Sequence, residues 1–175
     1  LGELYFTESS IYLNQNKIQK AKISLKKGLS IKPKNTNALF QFGNIFLIEK
    51  EYEKALNEYK KIIKIKSNYW QAFNNKGLVY FELDQLVMAK ENFERAIKIE
   101  KNAESLLALA VSLQNTNINQ SILLAKEALT KNPRYVSYDF RKEQLWGNKI
   151  QKATKKLFEL KELEQDINMA NLYKN

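Results

Sequence analysis

The sequence predicts an all-α fold made of tandem antiparallel helix pairs, and three observations predict it. Similar residues recur every 34 positions, as in Gly43 and Gly77. Apolar residues within each segment recur at the spacing of one helix face. Residues that break helices are rare, with five Gly and two Pro among 175 residues.

The 34-residue recurrence combines small and large side chains at fixed offsets. Small residues suit places where two helices cross closely, and large ones fill the space between successive helices. The recurrence therefore predicts helix pairs packed in one repeated way. The matching pairs are Gly43 and Gly77, Phe46 and Tyr80, Ala55 and Ala89, and Tyr59 and Phe93.

Helical periodicity supports the same reading independently of the recurrence. Ala55, Tyr59 and Ile62 lie at i, i+4 and i+7, as the apolar face of an amphipathic helix requires. Lysines such as Lys60 and Lys64 occupy the opposite face.

We expect one domain over residues 1–175, with four units and a cap. The fourth unit has a shortened loop at 115–119, and the last helix is predicted over about 148–166. A tail over 168–175 is expected to be frayed. The predicted units cover about 2–35, 36–69, 70–102 and 103–133, and a degenerate fifth pair over 134–167 would act as a polar-faced cap.

The pattern of a small residue, a large aromatic, a small residue and a closing Pro resembles the tetratricopeptide repeat. The resemblance implies a right-handed α-solenoid whose first helices line a concave groove. It also implies a non-enzymatic scaffold that binds a protein or peptide partner. The run Arg141–Ile150 is similar to the tails of such proteins from cyanobacteria and plastids, which implies an assembly factor for photosynthetic membrane complexes.

The repeat register predicts an apolar, amide-bearing groove for the partner. Three aromatic residues, Phe6, Phe40 and Phe81, would be anchors or would be buried against neighbouring helices, and the sequence leaves both readings open. Trp146 also has two readings, as a contact residue or as a cap residue packing on Ala128 and Leu129. The predicted groove residues are Phe6, Ser10, Phe40, Asn44, Leu47, Asn74, Leu78, Phe81, Leu107 and Val111.

Chaperone-type members of the tetratricopeptide family clamp a C-terminal carboxylate with Lys, Arg and Asn side chains. Asn44 and Asn75 match the two amides of that clamp. Phe40, Glu104 and Ala108 stand where cations are needed. Since buried carboxylates require compensation by cations, we expect no carboxylate clamp in this groove.

The composition argues against enzymatic chemistry. The chain contains no Cys and no His, which removes thiolate nucleophiles, imidazole bases and the usual zinc ligands. Ser9, Ser10 and Ser121 occupy positions where the repeat needs small packing residues. We therefore expect no enzymatic activity, no cofactor, no metal and no small-molecule substrate.

The formal net charge of +10 comes mostly from Lys on the second helices. A solvated face explains this charge, and the alternative is an adaptor that associates with RNA or with an anionic membrane. Only three Arg occur, so the sequence does not favour specific nucleic-acid recognition. No apolar run spans a bilayer, so the piece should be soluble, in the cytoplasm or associated with the plastid stroma or thylakoid. The sequence leaves open whether a membrane anchor or a signal precedes Leu1.

Overall fold

The computed structural model describes residues 1–174, and every regular element within them is helical. None of the described helices is long and apolar enough to cross a membrane. Two 3-10 helices cover Pro133–Val136 and Lys161–Leu163. The α-helices are α1 (Gly2–Asn14), α2 (Ile18–Ile31), α3 (Thr36–Ile48), α4 (Tyr52–Ile65), α5 (Trp70–Glu82), α6 (Leu86–Ile99), α7 (Ala103–Leu113), α8 (Ile118–Lys131), α9 (Tyr138–Glu143), α10 (Asn148–Phe158) and α11 (Glu164–Tyr173).

The chain divides into two compact units, residues 1–72 and 73–175, where the sequence predicts a single domain. In unit 1, α1 packs on α2 and α3 packs on α4, and in unit 2, α7 packs on α8. Each of the four predicted repeats contains one helix pair. Repeats of this kind contact chiefly their neighbours, so an array can separate into clusters without a break in its helices.

A glycine lies at the closest approach in several helix pairs. A methyl group added to Gly43 would stand 2.7 Å from the Tyr59 ring, and one added to Gly77 would stand 2.4 Å from the Phe93 ring. Tyr59 and Phe93 are themselves completely buried. The recurrence of small and aromatic residues therefore corresponds to a ring of one helix lying on the backbone of its partner.

The turns within the helix pairs repeat the same backbone conformation. Asn16, Lys50 and Asp84 have φ angles of 56°, 59° and 59° and lie 34 residues apart. This left-handed conformation suits Gly or Asn and is strained for Lys. The shortened fourth turn, over residues 115–117, contains no residue of this kind.

Asparagine side chains cap the N-termini of three α-helices. Asn35, Asn102 and Asn117 accept hydrogen bonds from backbone amides three residues further along, at 2.9–3.2 Å. These bonds satisfy amide groups that have no partner within the helix. Local sequence thus sets where α3, α7 and α8 begin.

The core of unit 1 lies where α2 meets α1 and α3. Ala21 and Leu25 of α2 are completely buried with Ala38 and Ile45 of α3. Partly buried side chains, among them Phe6, pack around this cluster. The core therefore joins successive repeats as well as the two helices of each pair.

The C-terminal part differs from the prediction in two places. The helix predicted over 148–166 ends at Phe158, and Leu160 has an extended backbone. Residues 168–173, predicted to be frayed, belong to α11, while Asn175 lies outside the described residues. This helix packs on α8, and Ala170 within it is buried.

The left-handed turn conformation of Lys50 generates a stability prediction. Replacing Lys50 with Gly should raise the free energy of unfolding by about 0.5–1 kcal/mol, because Gly adopts this conformation without strain. Urea denaturation measures the change. The control Lys66→Gly, at a φ of −136°, should instead destabilise the protein, and equal effects of the two changes would contradict the assignment.

Candidate partner-binding surfaces

Unit 1 contains an aromatic cluster at the predicted groove position of α3. The Phe40 ring centroid lies 5.5 Å from that of Tyr69 and 6.0 Å from that of Tyr59, in tilted arrangements. The Tyr69 hydroxyl donates a hydrogen bond of 3.4 Å to Asn37 Oδ1. Phe40 and Tyr69 are half-buried, so the cluster presents ring surface to solvent.

The amide of Asn44 borders this cluster. Tyr59 donates its hydroxyl to Asn44 Oδ1 at 2.8 Å, and Asn44 is half-buried. Leu47, three residues along α3, is 7% exposed and belongs to the interior. The accessible part of this face therefore centres on Phe40 and its neighbours, which we call the Phe40 surface: Asn37, Phe40, Asn44 and Tyr69.

Sequence reasoning missed Tyr69. It lies in the connection between α4 and α5, outside the helices from which the groove was predicted. The sequence feature that could have indicated Tyr69 is its place directly before the first residue of α5, where the repeat does not require a large aromatic residue. Burial raises the pKa of its hydroxyl, in keeping with its packing against Phe40.

The predicted groove residues of α1 are partly engaged within the protein. Phe6 is half-buried, and its ring fills the space that a methyl group on Gly28 would need. The Ser10 hydroxyl donates to the carbonyl oxygen of Phe6, one helical turn earlier, at 3.1 Å. Of the two readings for Phe6, packing against a neighbouring helix describes the observed contact.

In unit 2 the predicted groove residues lie in the interior. Asn74, Leu78 and Leu107 are 0% exposed, Val111 is 1% exposed and Phe81 is 7% exposed. They are therefore not available to a partner in this structure.

The chain's own C-terminal segment contacts the same face of α7. Trp146 Nε1 donates to Glu104 Oε1 at 3.3 Å, and Gln114 Nε2 donates to the Ala153 carbonyl oxygen at 3.3 Å. Glu104 and Gln114 lie on the same face of α7 as Leu107 and Val111, and α10 packs on α7. We infer that residues 146–153 lie along the face predicted to hold a partner.

A carboxylate of α5 holds the first turn of α10. Glu82 Oε1 accepts hydrogen bonds from the backbone amides of Lys149 and Ile150 at 3.0 and 3.1 Å. Gly147 precedes this turn, and a methyl group there would stand 2.4 Å from the Glu82 carboxylate carbon. A negative charge at a helix N-terminus is stabilising, and a side chain at position 147 would have to displace this carboxylate.

Glu104 is half-buried and belongs to a polar network with Asn74 and Ser105, which are fully buried. Its Oε1 also accepts from Asn74 Nδ2 at 2.9 Å, and the Tyr135 hydroxyl donates to the same carboxylate. Ser105 donates its hydroxyl to Asn74 Oδ1 at 2.9 Å. Burial raises the pKa of Glu104 to about 7, and the hydrogen bonds from Trp146, Asn74 and Tyr135 offset only part of that effect.

The lysines of the second helices are mostly exposed, and several are paired with carboxylates. Lys22 lies 2.5 Å from Glu49, and Lys61 lies 2.7 Å from Glu58. Lys54 also pairs with Glu51. Such pairing lowers the positive potential that these helices present to a polyanion.

The Glu104 network generates a pH prediction. Because the folded-state pKa lies above the unfolded value of 4.5, the stabilising contribution is complete below pH 4.5 and is lost as the pH rises towards 7. Replacing Glu104 with Gln should remove this loss, so the variant should melt at a higher temperature than the wild type at pH 8 and at a similar temperature at pH 4.5. Thermal melts across that range measure it, with Glu162→Gln, at an exposed carboxylate, as the matched control. An unchanged pH profile in Glu104→Gln would contradict the assignment.

Comparisons with solved structures agree with this fold. MamA residues 41 to the end from Desulfovibrio magneticus RS-1 is 18% identical with a TM-score of 0.72, covering 98% of this chain and 90% of that one. YrrB, described as a TPR protein with an unusual peptide-binding site, is 19% identical with a TM-score of 0.66, covering 97% and 89%. The first TPR domain of Spaghetti (RPAP3), bound to the HSP90 peptide SRMEEVD, is 22% identical with a TM-score of 0.62, covering 65% and 91%.

Family comparisons agree with the repeat register. A profile described as TPR repeat matches residues 43–84, and one described as Tetratricopeptide repeat matches residues 2–35 and 71–103. No curated protein is significantly similar in sequence. The matched residues make up more than half of the chain, and the helix pairs, their glycines and their turns follow the same repeat. The chain belongs to the tetratricopeptide repeat family.

Proposed function

We propose that the protein is a non-enzymatic interaction module that binds a segment of a partner protein on the Phe40 surface of unit 1. One observation carries the proposal. Phe40 and Tyr69 form a half-exposed aromatic cluster between amide side chains, whereas the predicted groove residues of unit 2 are buried.

The chemistry of this surface suits a partner segment with an apolar side chain. Rings that are already packed against one another lose little conformational freedom on binding, which is why aromatic residues dominate binding energy at interfaces. The exposed amide of Asn37 can hydrogen-bond the backbone of an extended segment. The peptide bound to RPAP3 and the peptide-binding site ascribed to YrrB support a partner of this class.

The absence of Cys and His from the sequence supports a role without catalysis. Binding alone is the activity for which the Phe40 surface supplies groups.

The resemblance of Arg141–Ile150 to cyanobacterial and plastid proteins supports a more specific role. On that basis we propose an assembly factor for photosynthetic membrane complexes, associated with the thylakoid. This role rests on family analogy. Crosslinking in native cells followed by mass spectrometry tests it, and a partner from outside the photosynthetic complexes and their biogenesis would contradict it.

A second candidate uses the exposed lysines of the second helices. Lys20, Lys26 and Lys60 are exposed, which favours contact with an anionic membrane surface or with RNA. Binding through these lysines would fall steeply as the salt concentration rises.

Replacing Phe40 with Ala should weaken capture of the crosslinked partner at least tenfold, because the central ring of the cluster is lost. Circular dichroism should show the helicity unchanged, and the affinity of the purified partner measures the effect. Ile23→Ala, at a residue of α2 that is 57% exposed, is the matched control and should bind normally.

Replacing Phe81 with Ala tests the predicted groove residues of unit 2 independently of the Phe40 surface. Since Phe81 is 7% exposed, this change should lower the free energy of unfolding by about 3–5 kcal/mol and leave the Phe40 surface intact.

Partner capture that survives Phe40→Ala but disappears at high salt would favour binding through the exposed lysines instead of the Phe40 surface.

A further inference from the structure

An open cleft of about 590 Å³ lies between α9 and α10, away from the Phe40 surface. Side chains of both helices line it, and those of α10 follow one face at intervals of three or four residues. The lining residues are Tyr138, Arg141, Asn148, Gln151, Lys152, Lys155, Phe158 and Glu159. The cleft is large enough for a small ligand or for a side chain of a partner.

Arg141 is the deepest cation of this cleft and is 4% exposed. Its Nε donates to Gln151 Oε1 at 2.8 Å, and its Nη1 donates to the carbonyl oxygens of Tyr135 and Val136 at 2.6 and 2.9 Å. All three acceptors are neutral. Among the described residues, no carboxylate lies within ion-pair distance of Arg141, so the structure holds a buried charge without a counter-ion.

A buried cation without a counter-ion is unfavourable, and an anion in the cleft would relieve that cost. Burial lowers the pKa of Arg141 to about 10, so the guanidinium remains charged at neutral pH. Its hydrogen bonds hold the group in place before any ligand arrives, which reduces the entropy lost on binding.

The charges around the cleft indicate the charge of the ligand. Arg141, Lys152 and Lys155 contribute three positive charges, and Glu159 contributes one negative charge. The net charge of +2 matches a phosphate monoester, which carries about −1.5 to −2 at neutral pH, better than it matches a single carboxylate. Phe158 and Tyr138 add apolar walls that would contact the group carrying the phosphate.

We propose that the cleft between α9 and α10 binds a phosphate monoester, through Arg141 at its base and Lys152 and Lys155 at its rim. The site is independent of the Phe40 surface, so neither proposal depends on the other. The phosphate belongs to a phosphorylated side chain of a protein or to a small phosphorylated compound, and both present the same oxyanion.

Nuclear magnetic resonance of the whole ¹⁵N-labelled chain tests the site with inorganic phosphate at constant ionic strength. We expect saturable shifts at the Arg141 Nε–H group and at the amides of Lys152 and Lys155, with a Kd on the order of millimolar. Sodium chloride alone should not cause them. A phosphoserine peptide that binds at least tenfold more tightly than phosphate would favour a phosphorylated protein as the source, and equal affinity would show that the peptide adds no contact and would favour a small compound.

Exposed lysines are the residues to change, because replacing buried Arg141 would also disturb folding. The double change Lys152→Gln and Lys155→Gln should weaken phosphate binding at least tenfold. The control Lys131→Gln and Lys156→Gln removes the same charge from exposed residues outside the lining and should leave binding within twofold. Equal weakening by both pairs, or no saturable shift at millimolar phosphate, would overturn the proposal.

Discussion

The close approach of paired helices is the constraint on which the repeats depend. In three pairs an aromatic ring occupies the space beside a glycine: Phe6 beside Gly28, Tyr59 beside Gly43, and Phe93 beside Gly77. Glycine within a helix costs about 1 kcal/mol relative to alanine. The packing at each contact offsets this cost, because a methyl group would push the ring and its helix away.

This constraint is why so much of the fold can be predicted from sequence. A fixed distance between the two helices of each pair requires small and large residues at fixed positions. The sequence therefore shows these residues again after 34 positions. The left-handed turn residues Asn16, Lys50 and Asp84 lie at the same interval, although their side chains do not resemble one another. Repetition of backbone conformation thus extends further than repetition of residue type.

The C-terminal segment could not be predicted in the same way, because its position depends on contacts distant in sequence. Glu82 and Lys149 are separated by 67 residues, and the local sequence around either residue does not predict their contact. The predicted groove residues Leu78, Phe81, Leu107 and Val111 are apolar and buried, and residues 146–153 contact the same face of α7. An apolar helix face shows that something packs on it, but an intramolecular segment and a partner leave the same pattern in the sequence.

The contact between Glu82 and the first turn of α10 also bears on how the chain folds. The amides of Lys149 and Ile150 have their acceptor on α5, so the start of α10 is stabilised only after α5 has formed. During synthesis, α5 leaves the ribosome well before α10 does. The long loop that this contact closes has an entropic cost, so its formation should be among the slower steps of folding. We therefore expect the apolar faces of α5 and α7 to stay accessible until this contact forms, which would leave the nascent protein open to aggregation and to chaperones.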